Sequence, residues 1–291
     1  MAEITAAMVK ELRDRTNIGM MDCKNALTEA NGNMDEAIKL LRERGAIKSA
    51  KREGRAATEG LVGVGTTADG KAGVAVYVTS ETDFAARNEG FEATVAETLK
   101  AALDTTPENI DALKATKTAS GKSVDEIVED LRHKIGEKIE LGAYGVQKGD
   151  LVVDYKHFNG KIAVLVAASA PGLADDKKDK VAETLKGVAM HIAANNPRFL
   201  DSTGVDEKTL AEEKEIAATQ AKNEGKPEAI IPKIVEGKVR AFFKQACLLD
   251  QPFAMDQDKT VAQVVKDLGK TVGSDVALAG FTRLEVGSAN N

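Results

Sequence analysis

Read for the spacing of its apolar positions, the chain opens with three short helical patterns. Met8, Val9 and Leu12 share one face of a first helix, which Thr5 can cap and which ends near Thr16 and the turn "NIGMM". Asp22 can cap a second helix around Ala26 and Leu27. The break "NGNMD" precedes a third, with Ala37, Ile38 and Leu41 on one face and Gly45 as its stop. These patterns predict a three-helix bundle over residues 1–54, ending in a basic linker. Ile18, Met20 and Met21 are surplus to its inner face. They either plug the bundle end or offer an adaptable contact to another protein.

Past the linker the period drops from that of a helix to that of a strand. "GLVGVGTTADGKAGVAVYV" reads as two strands around Asp69-Gly70, and "GDLVVDYKHFNGKIAVLVAAS" as two more around Asn159-Gly160, dipeptides that favour tight hairpins. Each hairpin leads to a helix, and both helices contain "VAETLK", at Val95–Lys100 and at Val181–Lys186. The recurrence predicts an α+β fold with two related hairpin-plus-helix subdomains, one over 55–147 and one over 148–200 with 241–291. Between them, "SVDEIVEDLRHKIGEKIELG" puts Val124, Ile127, Val128, Leu131, Ile135 and Ile139 at helical spacing. After Pro197, Leu210, Ile216 and Ala217 mark one helix, "NEGKPE" turns the chain, and Ile230, Ile231, Ile234, Val235 and Val239 mark another. The pair predicts an antiparallel helical hairpin of coiled-coil type over 201–240, inserted in the second subdomain and protruding from it. "DKTVAQVVKDLG" then reads as a short helix and "VALAGFTRLEV" as a strand returning to the second sheet.

Composition narrows the class. With 291 residues, 43% of them hydrophobic, the chain can bury more than one core without staples. Its two cysteines, Cys23 and Cys247, lie far apart, no secretory start is visible, and the most apolar strip, "IAVLVAASA", is too short to span a membrane. The expectation is a reduced, soluble, cytoplasmic protein with no membrane partner. A net charge of −6 argues against a chain built to neutralise phosphates, and so against nucleic acid as its main partner. The run "AIKSAKREGR" at Ala46–Arg55 stays open between a solvated linker and an RNA contact, although no aromatic residues interleave it for base stacking.

Candidate chemistry is sparse. The three histidines (His133, His157 and His191) have no cysteine at ligand spacing, which argues against zinc, and no nucleophile elbow or serine triad is present. "SGKS" at Ser120–Ser123 imitates the tail of a phosphate-binding loop. However, Thr116 stands where a glycine is required, and Ser123 reads better as the cap of the helix from Val124. Carboxylate pairs such as Glu212-Glu213 fall on the charged hairpin. The residues fit a binding protein without cofactor or catalytic residues better than an RNA-associated protein or a hydrolase. One stretch stands out: "SETDFAARNEGF", Ser80–Phe91, sets Phe84 in a strand-to-helix connection, between Asp83 and the polar string Arg87, Asn88 and Glu89.

"LRDRTNIGMMDCKNAL", "TDFAARNEGF", "HKIGEKIELG", "QPFAMD" and "GFTRLEVG", in this order and across nearly the whole chain, resemble bacterial elongation factor Ts. The resemblance implies a guanine-nucleotide exchange factor with no catalytic chemistry and no direct nucleotide binding, whose partner is elongation factor Tu in its GDP-bound and nucleotide-free forms. It implies that the N-terminal, UBA-like bundle docks on the partner's nucleotide-binding domain through Met20, Met21 and Lys24. It also implies that Thr82, Asp83 and Phe84, with Ile135 and Gly136, wedge that domain open. The second core half is then expected to grip another domain through His157, Ala254 and Met255. The chain departs from the family at Tyr77–Glu81, where a Glu-hydrophobic-Asn-Cys-Gln run is usual, and it stops at Asn291 without the extra C-terminal helix of some members. Binding is therefore expected to rely more on Met20, Met21 and the core.

Overall fold

Asn-Gly and Asp-Gly dipeptides, capping side chains and two runs of β-branched residues set the local structure. The computed structural model describes residues 4–16, 18–41 and 56–288. The described chain is α+β. Its elements fall into two compact units: one takes the described residues up to Gly63, Val76–Gly145 and those from Leu284 on, and the other takes Val64–Ala75 and Val146–Arg283.

In the first unit, α1 (Ala6–Thr16), α2 (Met20–Glu29) and a helical segment at residues 34–41 (α3) close over Val9, Leu12, Cys23, Ala26, Leu27, Ala37 and Leu41. The Thr5 hydroxyl accepts from the Met8 amide at 3.3 Å, as expected of a cap. Asp22 is not a cap. The N-cap of α2 is Gly19, with no side-chain hydrogen bond, and Asp22 lies in the first helical turn, where a carboxylate still favours the positive end of the helix dipole. Asn31 (φ 47°) and Gly32 (φ 85°) end α2 in the left-handed region, and the Asn33 carboxamide oxygen caps α3 by accepting from Asp35 and Glu36, each at 3.1 Å. Gly45 and the basic run Ala46–Arg55 lie outside the described residues.

Strands β1 (Glu59–Thr66), β2 (Ala72–Ser80) and β3 (Glu140–Lys148) form one three-stranded sheet in that order. Strand β2 lies between β1 and β3 and is buried at every position after Ala72, so both its faces are covered, in keeping with its unbroken apolar run. The chain continues through α4 (Asp83–Ala86), α5 (Glu89–Thr105), α6 (Ile110–Ala115) and α7 (Val124–Ile135). The helical stripe stops earlier than its spacing predicts. Gly136, at φ 87°, caps α7, and Ile139 is fully buried ahead of β3, a strand that the sequence pattern missed.

In the second unit β4 (Leu151–Lys156) pairs antiparallel with β5 (Ile162–Ser169), and the sheet order β4-β5-β8 includes β8 (Ala277–Glu285), the returning strand. Helix α8 (Lys178–Asn195) lies on β4 and β5 and carries the second "VAETLK". Helices α9 (Glu207–Asn223) and α10 (Ile231–Ala246) pack along each other. The buried seam of α9 is Ala217 and Ala221, whereas Ile216, which the pattern put inside, is 51% exposed. A short hairpin of β6 (Pro252–Phe253) and β7 (Asp256–Thr260) precedes α11 (Val261–Val272), which rests on α8.

Candidate functional site

Phe84 is exposed because of how its neighbours are tied. The Ser80 hydroxyl donates to the Thr82 carbonyl at 2.8 Å, and the Thr82 hydroxyl accepts from the Ala85 amide at 3.2 Å, capping α4. What the sequence suggested as an irregular connection is thus a single helical turn. The turn buries Ala85 and Ala86 and points Phe84 outward, 80% exposed. Asp83 pairs with Arg87 one turn on, at 2.9 Å, on the outer face.

The end of α7 stands beside this turn. At its start α7 has a complete capping box, in which the Ser123 amide donates to Glu126 at 2.6 Å and the Glu126 amide donates to Ser123 at 3.2 Å. The bond from the Ser123 amide, with the Ser123 hydroxyl and Lys117 beside it, holds the Glu126 carboxyl down to about 2. Val124, Ile127, Val128 and Leu131 are buried, Ile135 is half-buried and Gly136 is exposed. Two carboxylates then cross the gap. The Thr82 amide donates to Glu137 Oε2 at 3.1 Å and its hydroxyl to Oε1 at 2.8 Å; in return the Lys138 amide donates to Glu81 Oε1 at 2.6 Å. Thr82, Asp83, Phe84, Ile135 and Gly136 therefore share one corner of the first unit. Glu81 and Glu137, which join the two loops, were not singled out from the sequence.

Met20, Met21 and Lys24 lie on the first two turns of α2. Met20 is 49% and Met21 68% exposed, Lys24 is exposed, and Ile18 packs against the bundle core. This divides the three surplus apolar residues: Ile18 is the plug, and the methionines face outward. Cys23, directly beneath, is buried and donates to the Ile18 carbonyl at 3.4 Å; burial raises its pKa.

His157, Ala254 and Met255 belong to the second unit but to different turns. His157 follows β4, with its Nδ1 2.9 Å from the Tyr155 hydroxyl, and its ring lies 4.4 Å from that of Phe158, which is 92% exposed and went unnoticed in the sequence. Ala254 and Met255 form the turn between β6 and β7. Its seat is His191, fully buried on α8. His191 Nδ1 accepts from the Ala254 amide at 3.1 Å, and Nε2 lies 2.7 Å from Gln251 Oε1, so the neutral ring with its proton on Nε2 satisfies both partners. Burial lowers the His191 pKa. A Cβ at Gly187 would lie 3.3 Å from the Phe253 ring and 3.4 Å from the Met255 sulfur, so the glycine lets the β6–β7 turn sit close on α8.

Reactive groups are scarce at these positions. Both cysteines are buried free thiols, and burial pushes Cys247 up to about 11, far from a nucleophilic thiolate. Among the described residues no three His, Cys, Asp or Glu side chains are grouped to hold a metal, and no helix is long and apolar enough to cross a membrane. "SGKS" forms a turn before α7, where Lys117 and Ser123 make an isolated bridge. Exposed apolar side chains such as Phe84, Met20 and Met21 can fill pockets on another protein.

Comparison with known proteins identifies the family. Residues 81–288 match the protein family described as elongation factor TS. An elongation factor Ts of Clostridioides difficile is 43% identical over 288 residues, covering 99% of this chain and 94% of that protein. One of Desulfovibrio desulfuricans is 39% identical, covering 98% and 99%, and one of Nitrobacter hamburgensis is 44% identical, covering 99% and 93%. From these matches over nearly its full length, the chain belongs to the elongation factor Ts family, nucleotide exchange factors of translation elongation.

Proposed function

We propose that this chain binds elongation factor Tu, enters its nucleotide-binding domain with Phe84, disturbs the magnesium and GDP site, and so speeds GDP release and lets GTP bind. The observation that carries this reading is the 80% exposure of Phe84 on a turn whose backbone is tied on both sides. A large aromatic ring held in water loses nothing on folding and gains on entering a pocket. Filling one is worth about 1.5–3 kcal/mol, or roughly ten- to a hundredfold in affinity. Asp83, Ile135 and Gly136 line the same corner. Met20, Met21 and Lys24 supply a second contact to the nucleotide-binding domain, and His157, Ala254 and Met255 a third, to another domain of the partner.

In this reading the bundle, the two sheet-and-helix halves and the α9–α10 hairpin inserted in the second half act as holders of these three contacts. No acid, base or metal on the chain takes part. The work is differential binding: the chain must prefer nucleotide-free to GDP-bound partner. The test is release of labelled GDP from elongation factor Tu, with and without the chain. Acceleration that saturates with added chain is the expected result. Release at the unaided rate, with binding still detected, would overturn the proposal.

A further inference from the structure

We infer that Glu137 is a positioning residue: together with Glu81 it makes a reciprocal carboxylate clamp that fixes the direction in which Phe84 is presented. The inference rests on the reading that Phe84 acts on elongation factor Tu. It starts from the weakness of α4 by itself. A four-residue turn is too short to be self-supporting, its internal bonds from Ala86 to Thr82 and from Arg87 to Asp83 are 3.4 and 3.2 Å long, and it buries only two alanines. Something outside the turn must therefore aim the exposed ring.

Glu137 meets that need. It follows Gly136, the left-handed stop of α7, and is thereby fixed to a helix with a full capping box and four buried aliphatic residues. Its carboxylate takes both polar hydrogens that Thr82 can offer, the amide at 3.1 Å and the hydroxyl at 2.8 Å, and the same hydroxyl accepts from the Ala85 amide at 3.2 Å. Carboxylate, hydroxyl and turn amide thus stand in series, with Thr82 two residues before Phe84 and Ala85 one residue after it. The bond from the Lys138 amide back to Glu81 at 2.6 Å adds a second crossing point, so neither loop can rotate about the other. Bonds to an ionised acceptor are roughly twice as strong as neutral ones, which suits a part that must stay rigid when a partner is pushed.

The experiment uses the full chain with Glu137→Ala, Glu137→Gln, Phe84→Ala and the double variant Phe84→Ala/Glu137→Ala. In free Glu137→Ala, the amides of Thr82 and Ala85 should exchange with solvent about tenfold faster or more, while those of Val95 and Val128 keep their protection. Stimulated GDP release should fall roughly tenfold, and Glu137→Gln, which retains one carbonyl acceptor, should recover part of it. Because Glu137 acts through Phe84, the double variant should be no slower than Phe84→Ala alone. Unchanged protection at Thr82 and Ala85, losses that add in the double variant, or loss of protection throughout α5 and α7 would each overturn the inference. The two readings fail differently. Normal release by Phe84→Ala sinks the wedge and the clamp's role with it, whereas normal release by Glu137→Ala beside an impaired Phe84→Ala sinks the clamp alone.

Discussion

At the scale of single residues, two phenylalanines a few positions apart set the proposed binding role against a role in folding. Phe84 is 80% exposed and Phe91 fully buried. Phe84→Ala should change folding stability by no more than about 0.5 kcal/mol, against roughly 3–5 kcal/mol for Phe91→Ala. On stimulated GDP release the order should reverse, with Phe84→Ala costing about tenfold or more per folded molecule. Urea unfolding and release assays on the two variants check this; a Phe84→Ala protein several kcal/mol less stable would return that residue to the core. His191 gives a second residue-scale expectation. Its pKa is lowered from the ordinary 6.5 by burial, so the unfolded chain binds the proton more readily than the folded one. Its contribution is therefore complete above pH 6.5 and is lost as pH falls below that value toward the folded pKa. Unfolding measured between about pH 7.5 and pH 5.5 should show stability falling with acid, and His191→Gln should flatten that slope. Phe84 was legible in the sequence because an aromatic ring in a polar connection has no local use. Glu137 was not: a carboxylate after a glycine looks like surface solvation, and its partner is 55 residues away.

At the scale of elements, what could be read depended on whether the signal was local. Asp69-Gly70 and Asn159-Gly160 announce their hairpins because the turn needs a glycine at positive φ, 68° at Gly70 and 69° at Gly160. Strand β3 was hidden because Ile139 continues the spacing of α7 past Gly136, so a helical stripe and a strand start overlap in one pattern. The β6–β7 hairpin was hidden because β7 is exposed at every position and carries no alternation. The same distinction governs what can be removed. The α9–α10 pair buries alanines of its own, and its base borders Asn195–Arg198 through Glu213, Phe242 and Gln245. Replacing residues 214–240 by a short glycine linker keeps that base. It should leave the protein folded, with a thermal midpoint lowered by about 2–4 °C, and exchange reduced but present. A product without a cooperative melting transition would show instead that the two helices complete the core of the second unit.

At the scale of the whole molecule, the three proposed contact groups need not do the same job, and thermodynamic linkage tells them apart. If the chain weakens GDP binding to elongation factor Tu by some factor, GDP weakens binding of the chain by the same factor. Only contacts that differ between the two partner states contribute to that factor; a contact made equally in both raises affinity and shifts nothing. Phe84, on its clamped turn, is the group suited to forcing a change. Met20 and Met21 are flexible thioethers at 49% and 68% exposure, suited to gripping whatever surface is offered. Titration of the chain into nucleotide-free and GDP-bound elongation factor Tu measures the factor as the ratio of the two dissociation constants. Met20→Ala and Met21→Ala should each weaken both affinities by about 1 kcal/mol, roughly fivefold, and leave the ratio where it was. Phe84→Ala should instead shrink the ratio itself, chiefly by weakening the nucleotide-free complex. If the methionine variants moved the ratio as much as Phe84→Ala does, grip and wedge would be one device, and the division of labour argued from exposure and rigidity would be wrong.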